Sequence, residues 1–305
     1  MKTYCLLSLF ILLHLASSVA ADPLQNAKRV LFLGDSITHS GHYIVYLEAA
    51  LRQTHPDTEF INLGLPSEGC TGLSEPAHPF PRPNIHERLE RALSKVDPEV
   101  VFACYGMNDG IYYPFSDERF AKYKAGINTL IEKVSKHGAK LILLTPPPFD
   151  PVPFKKRGKL LPADAPMFSW MQIYAHYDRD VIGPYGKWVL QQGARVAQVI
   201  DLHGPVTKFV TAKRKDSPDF VLSGDGVHLD QPGHRLLADA IHQALYRKEL
   251  PKLPKTQVAL IEKQHRIMHA AWLSHVGHER PGVKAGLPLE KAKATAAALK
   301  ERAFD

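Results

Sequence analysis

The sequence predicts an α/β protein: a three-layer α/β/α sandwich around a mainly parallel five-stranded sheet, followed by a C-terminal helical extension. Two observations predict it. Short apolar runs with strand composition recur along the chain, and amphipathic segments of helical period separate them. Such alternation builds βαβ units, which set successive strands parallel and lay helices on both faces of the sheet. A third observation locates the ligand: polar residues and glycines gather just after the apolar runs. Open sheets of this class bind ligands beyond the carboxyl ends of their strands.

The first run, Val30-Leu31-Phe32-Leu33, has no polar side chain and reads as a strand buried on both faces. A helix is expected over 43–54, a strand over 59–63 and a helix over 85–95. A strand over 100–105, a helix over 118–137 and a strand over 140–145 follow. The stretch 146–166 is proline-rich and carries Phe149, Phe154, Lys155, Lys156 and Arg157. Loops of that length are uncommon unless functional or disordered, and this one follows a strand end, so it is expected to wall the cleft. A helix over 167–192, a strand over 195–202 and a last helix-like segment complete the unit near Tyr246. Beyond Leu250, two helical patterns over 257–274 and 289–302 flank a turn rich in Gly and Pro. Their apolar positions call for burial against the core or a second copy of the chain, so a homo-oligomer through these helices stays open. The expected division is 1–21, 22–250 and 251–305, with the chemistry confined to the middle segment.

The first segment has an export signal's features: Lys2, an apolar stretch over 6–15, and the small residues Ser18-Val19-Ala20. Its apolar run falls short of the about 20 residues of a spanning helix, so cleavage is expected over anchoring. A secreted or periplasmic protein with no stable membrane insertion is the expected product. Only Cys70 and Cys104 then remain, and they are expected to be unpaired, leaving stability to the hydrophobic core. The formal charge of +7 includes no Lys/Arg run able to track a phosphate backbone, which argues against nucleic acid as a partner.

The chemistry is carried by two stretches far apart in sequence. Gly34-Asp35-Ser36-Ile37-Thr38 sets a serine at the end of the first strand, and Asp225-Gly226-Val227-His228 sets an aspartate three residues before a histidine. A serine hydroxyl is a weak nucleophile until an imidazole takes its proton, and the imidazole needs a carboxylate to fix its tautomer. Ser36, His228 and Asp225 supply the three groups. Acyl transfer also needs donors aimed at the developing oxyanion. The Ser36 N–H, the Gly64 N–H in Asn62-Leu63-Gly64 and the Asn108 amide in Gly106-Met107-Asn108-Asp109 are the candidates. Taken singly, Ser36 reads equally as a helix cap and Asn108 as a turn residue. Asp35 is expected to hold the serine loop, and His39, His42, Tyr112 and Tyr113 lie near enough in sequence to line the cleft. His265 and His269, one helical turn apart, have metal-ligand spacing, but no cysteine pair or zinc-protease motif accompanies them. Packed or solvated histidines are the expectation.

These four blocks, in this order over 29–245, resemble those of the SGNH hydrolases of the GDSL lipase/esterase superfamily. The first block reads Asp-Ser-Ile in place of Asp-Ser-Leu. The resemblance implies a flavodoxin-like SGNH fold, with Ser36 as nucleophile, His228 as base and Asp225 as its orienter. It also implies an oxyanion hole of Ser36, Gly64 and Asn108. No metal or organic cofactor is implied. The expected function is an exported serine esterase working through an acyl-enzyme on a small-molecule or carbohydrate ester, with short O-acyl groups on carbohydrate favoured. A lysophospholipase or thioesterase, and a non-catalytic glycan-binding protein on the same scaffold, are the alternatives.

Overall fold

Val30, Leu31, Phe32 and Leu33 are fully buried in the structure, a computed structural model that describes residues 22–302. They form an inner strand, as a run without polar side chains must if its backbone is to be paired on both sides. In chain order the elements begin β1 (Arg29–Gly34), α1 (Ser36–Ser40), α2 (His42–Leu51), β2 (Glu59–Asn62), α3 (Leu89–Val96) and β3 (Val100–Cys104). They continue α4 (Asp117–His137), β4 (Lys140–Leu144), α5 (Pro151–Lys156), β5 (Leu160–Leu161) and β6 (Ile173–Tyr174). Last come α6 (Gly183–Leu190), β7 (Gln198–Ile200), α7 (His203–Asp216), α8 (Gln231–Tyr246), α9 (Lys255–Val276) and α10 (Leu289–Arg302).

The main sheet is parallel throughout, with strand order β2-β1-β3-β4-β7. Helices cover both faces, giving the three-layer sandwich of the SGNH type. The Phe32 ring stacks on Phe102 of β3 at 4.8 Å and on Phe60 of β2 at 6.2 Å, so one aromatic column ties three strands together. The chain lays β2 on one side of β1 and then returns to lay β3 on the other. The crevice beyond β1 and β3 is therefore a topological switch point, and Ser36 and Asn108 lie just past those two strand ends.

The five expected strands and most helices appear within a few residues of their expected bounds. The expected helix over 167–192 does not. Only Gly183–Leu190 is α-helical there, after a π-helical turn over Asp178–Ile182; Ile173–Tyr174 instead pairs with β5 as a small separate sheet. Polar groups explain part of this: the Tyr174 N–H is drawn to the Tyr112 carbonyl at 3.1 Å, outside any helical ladder. A short helix that periodicity missed, α1, begins at Ser36 and ends at Gly41, whose φ of 76° favours glycine.

The C-terminal helices pack on the sandwich. Ile261, Trp272 and Leu273 of α9 are buried, and the Trp272 indole N–H donates to Glu59 at 3.1 Å, binding α9 to the edge strand β2. Cys70 and Cys104 are free, buried thiols. Among the described residues no helix is long and apolar enough to cross a membrane. The expected signal over 1–21 lies outside the described residues.

Candidate active site

Ser36 is the first residue of α1, and Asp35 caps that helix by accepting the Ile37 N–H at 2.9 Å. The Ser36 N–H belongs to the first turn, so no helical carbonyl satisfies it. Its hydroxyl donates to His228 Nε2 at 2.8 Å, and His228 Nδ1–H donates to Asp225 Oδ2 at 2.6 Å. The relay expected from sequence is therefore assembled across 192 residues of chain.

The acid–base loop is held tightly. Asp225 Oδ1 accepts the Val227 N–H at 2.9 Å, the His228 N–H at 2.7 Å and the Ser223 hydroxyl at 3.0 Å. Gly226 has a φ of 82°, and a Cβ there would strike the Asp150 carbonyl. The proline-rich segment lies behind this loop: Asp150 N–H donates to the Gly226 carbonyl at 2.8 Å, and Arg157 donates to the Asp225 carbonyl at 3.2 Å. Arg214 anchors Asp150 in turn, at 2.6 Å.

Electrostatics match the geometry. The Asp225 hydrogen bond raises the His228 pKa above its ordinary value; burial opposes it, and the charges of Asp225 and Asp35 add to it. Burial would raise the Asp225 carboxyl, but hydrogen bonds from His228 and its cationic charge outweigh burial and hold it well below the usual range. Asp35 was expected only to hold the loop, which it does, yet burial also pushes its carboxyl up to about 7.

Asn108 is buried, and its amide is oriented from both ends. Oδ1 accepts from Arg82 Nη1 at 3.0 Å and from the Tyr112 hydroxyl at 2.8 Å, while Nδ2 donates to the Glu68 carbonyl at 3.0 Å. One hydrogen on Nδ2 is left for a ligand. Arg82 is paired by two 2.7 Å bonds with Glu75 and lies over the Tyr112 ring. Tyr112 is in the left-handed region at φ 65°, uncommon for an aromatic residue, and its carbonyl is tied to Tyr174.

Gly64 does not fit the role expected of it. Its N–H donates to Asn62 Oδ1 at 2.7 Å, and it packs so closely on α1 that a Cβ would strike His39 N and the Thr38 carbonyl carbon. Its glycine is needed for that approach, and its N–H is used internally. The free donor of this loop is Ser67, whose N–H has no hydrogen-bond partner among the described residues. Ser67 adopts a φ of 68°, and its carbonyl is held by the same Arg82 Nη1 that holds Asn108, at 3.3 Å. Glu68, next in sequence, is buried in a bidentate pair with Arg88 at 2.6 and 2.7 Å and accepts from the Tyr105 hydroxyl at 2.7 Å, which pins the loop from below.

Of the other residues expected near the cleft, only Tyr112 reaches the set. His39 turns to the Gly64 carbonyl, His42 packs on the His234 ring, and Tyr113 packs on Phe168. Arg82, Glu75, Glu68, Arg88 and Ser67 went unnoticed in the sequence. Their pairings span 7 to 26 residues without helical or strand spacing, and a serine carries no sign of positive φ. His265 and His269 are packed histidines: the first accepts from Asn62 Nδ2 at 3.0 Å and the second donates to the Gly64 carbonyl at 3.1 Å.

No curated protein sequence matches the chain. Solved structures similar in fold include Axe2 from Geobacillus stearothermophilus, an acetylxylan esterase, at 20% identity and a TM-score of 0.50, covering 72% of this chain and 94% of that one. The acetyl xylan esterase AlAXEase matches at 23% identity and a TM-score of 0.50, over 71% of this chain and 98% of that one. A gut microbial diltiazem-metabolizing enzyme matches at 18% identity and a TM-score of 0.55, over 72% of this chain; the match spans 46% of that enzyme, less than half its length. At these identities the likeness is one of fold. The sequence profile of the GDSL-like lipase/acylhydrolase family, by contrast, matches residues 32–236, a span that holds the serine, the amide and the acid–base loop alike, and the chain belongs to that family of ester hydrolases.

Proposed function

We propose that the protein is an exported serine esterase that removes short acyl groups, acetyl foremost, from carbohydrate. Ser36 attacks the ester carbonyl as His228 takes its proton, and Asp225 steadies the imidazolium. The tetrahedral oxyanion is bound by the N–H groups of Ser36 and Ser67 and by Asn108 Nδ2. His228 returns the proton to the departing alcohol, then activates the water that releases the acid.

The observation that carries the choice of substrate is the openness of the site. The His228 side chain is 51% exposed. An alcohol as bulky and hydrated as a polysaccharide can reach such a base. A long acyl chain gains most from enclosure, and the groups about Asn108 are the polar Arg82, Tyr112 and Glu75. Trp170, whose backbone N–H donates to Glu75 at 3.3 Å, is 44% exposed, which leaves its indole free to stack on a sugar ring. The acetylxylan esterases of similar fold agree with this reading, and export rests on residues 1–21. The test is acetate release from acetylated xylan and other acetylated polysaccharides, against a chain-length series of p-nitrophenyl esters. Preference for octanoyl over acetyl esters, with no acetate released from any polysaccharide, overturns it. Sequencing the mature N-terminus tests export.

A further inference from the structure

We infer that His265 and His269 of the C-terminal helix α9 are positioning residues of the active site, bracing the joint between the nucleophile's helix and the loop that carries Ser67. The inference rests on Ser36 and Ser67 acting as proposed above.

The joint is the Asn62 carboxamide and the Gly64 peptide. Asn62 Oδ1 holds the Gly64 N–H at 2.7 Å, while Nδ2 donates to the Thr38 carbonyl of α1 at 2.8 Å and to His265 Nε2 at 3.0 Å. The Gly64 carbonyl accepts from His39 Nδ1 and from His269 Nε2, each at 3.1 Å. Leu65 N–H, the next donor, returns to the Gly34 carbonyl at 2.9 Å, one residue from Asp35. Two of the five side-chain bonds in this joint therefore come from α9, outside the 32–236 span that carries the family pattern. Gly41, which ends α1, abuts the His265 ring so closely that a Cβ would strike it. Ser36 lies at the other end of this short helix.

The two histidines have opposite roles. An amide NH2 only donates, so His265 Nε2 accepts and its proton sits on Nδ1; a carbonyl only accepts, so His269 Nε2 carries the proton. The acceptor role of His265 needs the neutral imidazole, whereas His269 donates from Nε2 in either protonation state. Burial supplies that condition, lowering His265 to about 4 and His269 well below its ordinary value. A solvent-facing or purely packing histidine needs neither a fixed tautomer nor a polar partner at the edge of the catalytic loop.

The test uses the full chain, with active sites counted by a fluorophosphonate that labels Ser36. His265→Leu and His269→Leu remove the bonds; His265→Gln and His269→Gln keep an acceptor or donor at the same reach. Ile261→Ala loosens α9, where Ile261 is buried, without touching either bond. Per labelled site, the Leu variants are expected to lose tenfold or more in kcat on the order of magnitude set by misplaced catalytic groups, with KM within about twofold. The Gln variants are expected to recover most of it, and Ile261→Ala to lower the melting temperature alone. Unchanged kcat in the Leu variants overturns the inference, as does an equal loss in Ile261→Ala. Should the Leu variants not fold, wild-type kcat in Ile261→Ala with lost kcat in both Gln variants also overturns it. If the wild-type protein is not labelled at Ser36, the proposed chemistry fails instead, and the two failures are told apart.

Discussion

Arg82 Nη1 lies 3.0 Å from the amide oxygen of Asn108, and this contact decides which end of that amide is offered to a substrate. A cation and the Tyr112 hydroxyl both claim the oxygen, so the NH2 must be the end left over, and its N–H is polarised by the charge behind it. Asn108→Ala is expected to lower kcat by about 10²–10³ with little change in KM, because the bond forms with charge that exists only in the transition state. Arg82→Met is expected to lower kcat about tenfold or more through Asn108. It also leaves Glu75 buried without its partner and costs about 3–5 kcal/mol of stability. Steady-state kinetics on p-nitrophenyl acetate and urea unfolding measure the two effects separately. A rise in KM with kcat unchanged makes Asn108 a substrate-binding group instead.

Ser67 and Gly64 differ in what a side chain costs. Ser67→Gly removes strain at a positive φ and leaves the N–H in place, so rate and melting temperature are expected to hold or improve. Gly64→Ala drives a methyl into the α1 backbone at His39 and is expected to abolish activity or folding. A well-folded, fully active Gly64→Ala protein contradicts the packing described.

The acid limb of the pH–rate profile reports His228. Its folded pKa is raised, so kcat/KM is lost as pH falls through a value above the roughly 6.5 of a free imidazole. Asp225→Asn removes the largest cause of the rise and is expected to move the limb to lower pH as well as slow the reaction. Asp35, whose carboxyl burial pushes up to about 7, carries only part of a charge over this limb, so Asp35→Asn is expected to move it the same way by much less. An unmoved limb in Asp225→Asn assigns the orienting role to another acid.

Acid should also loosen α9. His265 and His269 titrate below their unfolded values, so the unfolded chain binds protons first, and stability falls as pH drops from about 6.5 toward the folded values. The charges they face act in the same sense: His39 of α1, His42 of α2, and Arg88 beside His269. Melting temperature between pH 7 and 4.5 is expected to fall less steeply in the double variant His265→Gln, His269→Gln than in wild type. Equal slopes mean that other groups dominate the acid response.

The sequence made the strands legible because a parallel strand buried on both faces needs an unbroken apolar run, and Val30 to Leu33 or Val100 to Ala103 have little else to become. It made Ser36, Asn108, Asp225 and His228 legible because they recur at strand ends and a late loop in a known order. What it hid was pairing at a distance. Nothing in the spacing of Glu75 and Arg82, or of Glu68 and Arg88, says that they meet in the interior. Gly64 misled because glycine serves two purposes: close approach of backbone to ligand, and close approach of backbone to backbone. The structure uses the second.

The Asn62–His265 bond joins residues 203 positions apart, and that distance bears on how the chain matures. Contacts so remote in sequence form only after a large loop closes. β2 is the edge strand of the main sheet, and α9 packs beside it through the Trp272–Glu59 bond, so that edge has less cover until α9 arrives. A chain stopped short of α9 would therefore present a more exposed edge strand as well as an unbraced joint.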